Sequence, residues 1–295
     1  MYDQIEHNKR KTILLIFVFL LIIIGLGWFL GVYMGYGYGI FTGAILFSII
    51  SALTGYFAGD KMALWTTGAK PITPQENPYL YRMVENLCIT AGLPLPKIYI
   101  IQSPALNAFA TGRDPKHASI AFTTGIIESL ENEELEGVAA HELSHVQNYD
   151  IRVMTIVVVL VGTIALISDL FFRIRLFGGG GDNRDRNTGQ IGMVIMLIGV
   201  VLLILSPIVA ELIKLAISRR REYLADASGA LLTRYPEGLA RALEKIGASA
   251  TPLPHASAAT AHLFISNPFK KHSISGLFST HPPIEERIKK LRGMA

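Results

Sequence analysis

The sequence predicts an integral membrane protein of the α+β class, mostly helical, with four transmembrane helices and a polar domain that the membrane segments split in two. Three observations support this prediction. No charged residue occurs between Thr12 and Gly59, two further long apolar segments follow, and 17% of the residues are charged while 51% are hydrophobic. A membrane-spanning helix needs roughly 20 apolar residues, so the first uncharged run alone accommodates two spans and a turn.

Composition excludes several other classes. The chain is too apolar for disorder, and its 27 glycines show no triplet period of the collagen kind. Cys88 is the only cysteine in the sequence, so an internal disulfide cannot form. The formal net charge of +4 is modest, and we interpret it as a sign of membrane topology rather than of nucleic-acid binding.

The apolar segments divide the chain into two membrane hairpins and two halves of one polar domain. The predicted order is an N-terminal transmembrane hairpin, the first polar half, a second transmembrane hairpin and the second polar half, at residues 1–60, 61–150, 151–218 and 219–295. Basic residues before the first span resemble the start of a signal peptide. The apolar stretch behind them is too long for one, so we expect an uncleaved signal anchor.

The four spans are expected near residues 12–34, 39–57, 151–172 and 191–217. A turn rich in glycine and tyrosine separates the first two spans. In the third and fourth spans the charged residues lie near the ends. Mid-span charges would favour a transport pathway, so this placement argues against a transporter.

The polar halves show their own periodic patterns. Residues 80–91 have helical spacing, and residues 97–101 and 119–124 have the β-branched and aromatic content of strands. A further helix is expected from Ser129, because acidic residues fill its first turns. The second half ends with a helix that the proline pair 282–283 opens.

The strongest chemical motif is His-Glu-x-x-His at the end of the first polar half. His141 and His145 lie four residues apart, so both imidazoles can reach one metal ion from one face of a helix. Glu142 between them can lie beside a metal-bound water. This pattern is typical of metalloproteases. The alternative is two surface histidines on an acidic helix, and the position of the motif inside a predicted helix disfavours it.

A catalytic zinc ion takes three protein ligands and leaves a fourth position open for water. The candidate for the third ligand is Glu222, after the fourth span. Asp226 follows four residues later on the same helix face and could accept a hydrogen bond from a ligand histidine, which orients the ring. The alternative for Glu222 is an ion pair with a neighbouring arginine on a solvated helix.

Together these motifs resemble those of HtpX-type membrane zinc metalloproteases, a bacterial group. The resemblance extends over the whole chain, including the four apolar segments. It rests on four stretches of sequence, at residues 107–112, 141–145, 221–227 and 279–283. The resemblance implies a split zincin-like protease domain that binds one Zn²⁺ per chain through His141, His145 and Glu222, with Glu142 as the catalytic residue.

A wider resemblance to the CAAX prenyl proteases of eukaryotes implies roles for three more residues. His281 and Arg287 would stabilise the oxyanion, and Asn107 would lie on the edge strand that holds the substrate backbone. We expect the substrate to lie extended and to add a strand next to residues 105–110, so Ala108 is a further candidate for substrate binding. The alternatives are that His281 caps the last helix and that Arg287 is a surface charge.

Membrane topology follows from the candidate ligands. His145 precedes the third span and Glu222 follows the fourth, so the two can share a metal only when these spans form a hairpin. The basic clusters lie on the same face, which makes that face and the N-terminus cytoplasmic by the positive-inside rule. The loop between the third and fourth spans carries more arginines than aspartates and disagrees with this orientation.

We therefore expect a multi-pass protease of the bacterial cell membrane, embedded in the lipid bilayer, with its active site on the cytoplasmic face. Its expected substrates are polypeptides, chiefly misfolded membrane proteins, as in envelope quality control. Three alternatives stay open. They are a CAAX-type prenyl-peptide protease, an intramembrane site-2-type protease, and a zinc-binding membrane scaffold or transporter without hydrolysis.

Overall fold

A computed structural model describes residues 2–33, 37–177, 219–254, 256–257, 259–269 and 282–294. Two sequence predictions fall outside these residues: the fourth span near residues 191–217, and His281. The described residues form an α+β structure that is mostly helical, as the sequence predicts.

The N-terminal apolar region folds as two long helices. Helix α1 comprises Tyr2–Trp28 and continues as a π-helical segment, and α2 comprises Tyr38–Thr66. Within them, Gln4–Trp28 and Phe41–Thr66 are long and apolar enough to cross a membrane. Helix α2 extends nine residues beyond the predicted end of the second span at Phe57, because a helix need not stop where its apolar stretch does.

The first polar half supplies the sheet and three helices. In chain order they are β1 Lys70–Pro71, α3 Pro78–Ala91, β2 Lys97–Ile101, β3 Ala108–Gly112, β4 Ala118–Thr123, α4 Thr124–Ser129 and α5 Asn132–Gln147. The sheet order is β1-β2-β4-β3, and only the β2–β4 pair is parallel. Strand β3 is therefore an edge strand, and it lies next to α5.

Helix α6, Asp150–Phe177, follows α5 after a sharp corner. Up to Leu166 it makes an angle of 82° with α5, and this bent pair counts as a third span when it is taken as one broken helix. Tyr149 occupies the corner with φ of 59°, a left-handed conformation that a bulky residue rarely adopts. The described residues thus support two spans, or three with the bent pair.

The described residues of the second polar half form three α-helices: α7 Arg219–Thr233, α8 Pro236–Ala248 and α9 Ile284–Arg292. Two glycines allow α5 to lie close to its neighbours. A Cβ at Gly229 of α7 would lie 3.0 Å from the backbone nitrogen of His141, and one at Gly137 would lie 2.7 Å from that of Leu239 in α8. The two polar halves therefore pack tightly against each other beside the metalloprotease motif.

The hydrophobic core has a domain part and a membrane part. In the domain, α5 is buried among α3, the sheet, α7 and α8. The core of the domain includes Leu80, Ile120, Phe122, Leu135 and Leu243. In the membrane part, α1 packs on α6. The buried positions of α1 recur every three or four residues, at Asn8, Thr12, Leu15, Phe19 and Ile23.

Candidate metal centre

The two histidines of the motif face each other in the buried part of α5. His141 and His145 are 1% and 4% exposed, and their rings meet edge to face. Their Nε2 atoms are 3.3 Å apart. The two residues are one helical turn apart, which places both rings on the same side of the helix, as the sequence predicts.

Glu222 of α7 approaches both rings from the second polar half. Its carboxylate oxygens lie 3.9 Å from His141 Nε2 and 3.7 Å from His145 Nε2. One nitrogen of each histidine and one carboxylate oxygen of Glu222 all lie within 4.8 Å of one another. Glu222 is buried, which excludes the alternative of a solvated helix face.

The hydrogen bonding of the rings tests whether a metal fits between them. His141 Nδ1 lies 3.0 Å from Asp226, and His145 Nδ1 lies 3.0 Å from Asp150. A proton on each Nδ1 would face one of these carboxylates and would leave both Nε2 lone pairs free to coordinate a metal. The two Nε2 atoms lie close to each other and to the Glu222 carboxylate, which is the arrangement that a shared metal needs.

The spacing also matches a metal. Two ligands of a tetrahedral zinc ion at 2.0–2.1 Å are about 3.3 Å apart, which agrees with the separation of the two Nε2 atoms. Two imidazoles and a carboxylate with an open fourth position form the donor set of catalytic zinc sites. The residues present therefore fit a zinc ion.

Asp226 is bound on its other side by Arg287 of α9. The guanidinium donates two hydrogen bonds to the carboxylate, from Nε at 2.9 Å and from Nη2 at 2.6 Å. Burial is the largest single effect and raises the pKa of Asp226, but the charge and hydrogen bonds of Arg287 together with those of His141 outweigh it and lower the pKa to about 2. Asp226 is thus ionised at neutral pH and oriented toward His141.

Arg287 is completely buried, so the alternative of a surface charge is wrong. Besides Asp226, it donates to the backbone oxygen of Ile265 at 3.3 Å, and its Nη1 lies 3.7 Å from Glu222. The guanidinium therefore holds the supports of the site. Its role in stabilising the oxyanion stays a prediction, and so does that of His281.

Sequence reasoning missed the partners of His145. Asp150 is 1% exposed. Its Oδ1 accepts a 2.7 Å hydrogen bond from Nδ2 of Asn8 in α1 and lies 3.7 Å from Nη1 of Arg221. Asp150 follows His145 by five residues, so no simple helical spacing points to it. It reaches the ring because the chain turns at Tyr149.

Glu142 lies beside the ligands and near the edge strand. It is buried, and burial is the main cause that raises its pKa to about 7. The backbone of Ala110 in β3 is close enough to Glu142 to lower the pKa of the carboxyl group in part. The buried Oε2 of Glu142 has no hydrogen-bond partner among the described residues. This oxygen therefore retains its capacity to accept a hydrogen bond.

The predicted substrate-binding residues lie at the start of the edge strand. Asn107 immediately precedes β3, and Ala108 is its first residue. The Asn107 side chain donates to Ser266 O at 3.0 Å, and Ile265 N donates to Ala108 O at 3.0 Å. The start of β3 is therefore already covered by residues 265–266 of the chain itself. The residue of β3 that lies near Glu142 is Ala110.

Comparisons with known proteins find relatives that match most or all of the chain. The sequence model of peptidase family M48 matches residues 74–295. Two relatives called Protease HtpX homolog each match 100% of this chain and 98% of their own length, one from Caldanaerobacter subterraneus subsp. tengcongensis at 48% identity and one from Tropheryma whipplei strain Twist at 49%.

A solved structure, that of S. mikatae Ste24p, is similar at 20% identity and a TM-score of 0.49, over 99% of this chain and 67% of that one. That likeness is too distant to indicate a function. The family match and the two relatives that match the whole chain show that the chain belongs to peptidase family M48, as one of its HtpX-type membrane proteases.

Proposed function

We propose that the chain is a zinc-dependent endopeptidase that cleaves membrane proteins, above all misfolded ones, at the cytoplasmic face of a bacterial cell membrane. The observation that carries the zinc part is the pair of histidine Nε2 atoms at 3.3 Å, each histidine being oriented by a buried carboxylate. The membrane part rests on the two long apolar helices.

In this proposal His141, His145 and Glu222 hold the ion. When bound, zinc supplies Lewis-acid chemistry that lowers the pKa of a water molecule toward 7. Glu142 takes the proton from the attacking water, because its open Oε2 faces no competing partner among the described residues. The same carboxyl group then delivers the proton to the leaving amine.

The substrate is proposed to lie extended along β3, with its backbone held beside Ala110. Asn107 contributes by fixing the segment around Ser266 against the start of the strand. Glu142 lies next to Ala110. A peptide held at this point of the edge would have its carbonyl group close to the general base.

Orientation and compartment rest on charge. The basic residues 9–11 in the first part of α1, the arginines at the start of α7 and the basic end of α9 would all face the cytoplasm. The active site would then be close to the cytoplasmic membrane surface, because α6 begins only five residues after His145. That position suits cleavage in loops and ends of membrane proteins.

The test compares purified wild type with Glu142→Gln, both stripped of metal in detergent and then given Zn²⁺. Substrates are an unfolded membrane protein and, in parallel, a short free peptide and a prenylated peptide. We expect equal zinc binding by both proteins. Cleavage of the membrane protein by the variant should be slower by a factor of about 10² to 10⁴, because the general base is lost.

His145→Ala serves as a control that should lose zinc and activity together. Equal zinc binding with no cleavage by either wild type or Glu142→Gln would contradict the protease mechanism and favour a zinc-binding scaffold. Preferred cleavage of the prenylated peptide would replace the proposed substrate class with the CAAX type. Cleavage of the short peptide alone would exclude membrane-protein substrates.

A further inference from the structure

The N-terminal helix contacts a support of the metal centre through the polar side chain of Asn8. Asn8 of α1 is 1% exposed, although it carries an amide. Its Nδ2 donates to the backbone oxygen of Asn148 at 2.9 Å and to Asp150 Oδ1 at 2.7 Å. Buried side-chain amides are normally hydrogen-bonded, because an unsatisfied polar group is costly inside a protein. Both hydrogen bonds of Asn8 go to the corner between α5 and α6.

The two acceptors lie on opposite sides of the left-handed residue Tyr149. The Asn148 carbonyl belongs to the end of α5, where helical carbonyls lack intrahelical partners, and Asp150 starts α6. Asn8 therefore joins the end of one helix to the start of the next. Lys9 of α1 adds a contact, since its Nζ lies 5.0 Å from the centre of the Tyr149 ring.

The second oxygen of Asp150 is the one that faces the metal centre. Asn8 bonds Oδ1, while Oδ2 lies 3.0 Å from His145 Nδ1. Rotation of this carboxylate would misalign its bond to the ring. The bond from Asn8 opposes that rotation, and the ring in turn determines where His145 Nε2 points.

Apolar packing fixes where Asn8 lies. Leu15, Phe19 and Ile23 continue the buried face of α1 that begins at Asn8, and they pack against Val153, Ile156, Val157, Leu160 and neighbouring residues of α6. The amide is thus supplied by a transmembrane helix whose register on α6 is set within the apolar layer.

We infer that Asn8 is a positioning residue for the metal ligand His145, acting through Asp150, so that the first transmembrane helix is a working part of the active site. This inference rests on the proposed metal centre. It assigns a function to α1 beyond anchoring the protein in the membrane.

The experiment measures metal binding rather than activity. Full-length wild type, Asn8→Ala and Asn8→Leu are purified in lipid nanodiscs, stripped of metal, and titrated with Zn²⁺ against a chromophoric chelator. Asn8→Leu retains much of the side-chain shape, so the test stands even when the alanine variant does not fold. Direct partners of ligand histidines change metal affinity by about 10- to 100-fold. Because Asn8 acts one residue further away, we expect a loss of about 3- to 10-fold.

Two comparisons separate positioning from packing. His7→Ala, the exposed neighbour on the same helix, should bind Zn²⁺ as wild type does. The double variant Asn8→Ala with Asp150→Asn should bind no more weakly than Asp150→Asn alone, because the effect of Asn8 passes through Asp150. The absorption spectrum of bound Co²⁺ should shift in Asn8→Ala and not in His7→Ala.

Wild-type zinc affinity and an unchanged Co²⁺ spectrum in Asn8→Leu or Asn8→Ala would overturn the inference, even if the variant unfolds at a lower temperature. Additive losses in the double variant would also overturn it. Failure of wild type itself to bind Zn²⁺ would remove the proposed metal centre and this inference together. If wild type binds Zn²⁺ and both Asn8 variants bind it equally well, the inference about Asn8 fails while the proposed metal centre stands.

Discussion

The two ligand histidines are supported in different ways. His141 depends on Asp226 and Arg287, an ion pair formed by two helices of the protease domain. His145 depends on Asp150, which is bonded by the neutral amide of Asn8 from the long apolar helix α1 and has Arg221 3.7 Å away. One half of the centre is therefore held by buried charge within the domain, and the other half by a contact with the membrane region.

The difference shows what each support contributes. A bidentate arginine–carboxylate pair holds its geometry strongly, and removal of one partner leaves a buried charge. An amide hydrogen bond is weaker and leaves a smaller penalty when it is lost. We therefore expect the His141 side to determine the stability of the domain, and the His145 side to determine how the site depends on the membrane helices.

The largest effect is expected for Arg287→Ala. It leaves Asp226 buried without its counter-charge, which should lower the free energy of unfolding by about 3–5 kcal/mol. Thermal unfolding of the metal-free protein measures the loss. The matched control is Arg292→Ala on the same helix, where an exposed arginine binds Glu237 and Glu244. Its expected cost is much smaller, because solvent screens an exposed ion pair. Equal costs for the two variants would contradict the assigned role of Arg287.

A smaller difference in stability is expected between the variants Asp226→Asn and Asp150→Asn. Each variant removes the carboxylate that orients one ligand ring, so each should weaken zinc binding by about 10- to 100-fold. Only Asp226→Asn also breaks the bidentate pair with Arg287, so it should lower the unfolding temperature more than Asp150→Asn does. Titration with Zn²⁺ and thermal unfolding of the same samples check both parts. A larger loss of stability in Asp150→Asn would reverse the comparison.

The smallest expected effect is a pH dependence of stability that is confined to acidic pH. The folded-state pKa of Asp226 is lowered from 3.8 to about 2, so its ionised form stabilises the fold. That stability is fully present above pH 4 and is lost as the pH falls through about 2. The difference in unfolding temperature between wild type and Asp226→Asn, without metal, should stay constant from pH 5 to 8 and narrow below pH 4. Narrowing already at pH 6 would contradict the assignment.

Local spacing explains why part of the centre could be predicted. The pairs His141 with His145 and Glu222 with Asp226 each lie four residues apart, and a helix is enough to bring such pairs to one face. The final helix and strands β2 and β4 also follow short-range periodicity, and the sequence predicts them within one residue or so.

The contacts that the sequence did not reveal depend on long-range geometry. Asp150 reaches His145 only because Tyr149 turns the chain, and no pattern marks that left-handed residue. Asn8 is 142 residues away from its acceptor. One signal could have indicated it, since Asn8 is a polar residue on the buried stripe of α1 that continues through Leu15 and Phe19.

The packing of α1 on α6 has a practical consequence for producing this enzyme. The family match begins at residue 74, so a shorter fragment that starts there could be expressed with the aim of obtaining a water-soluble protein. Such a fragment would expose the α6 face that includes Val153, Val157 and Leu160, and it would leave Asp150 without the Asn8 amide. Solubility would then require a redesigned helix surface as well as a substitute hydrogen-bond donor at the corner.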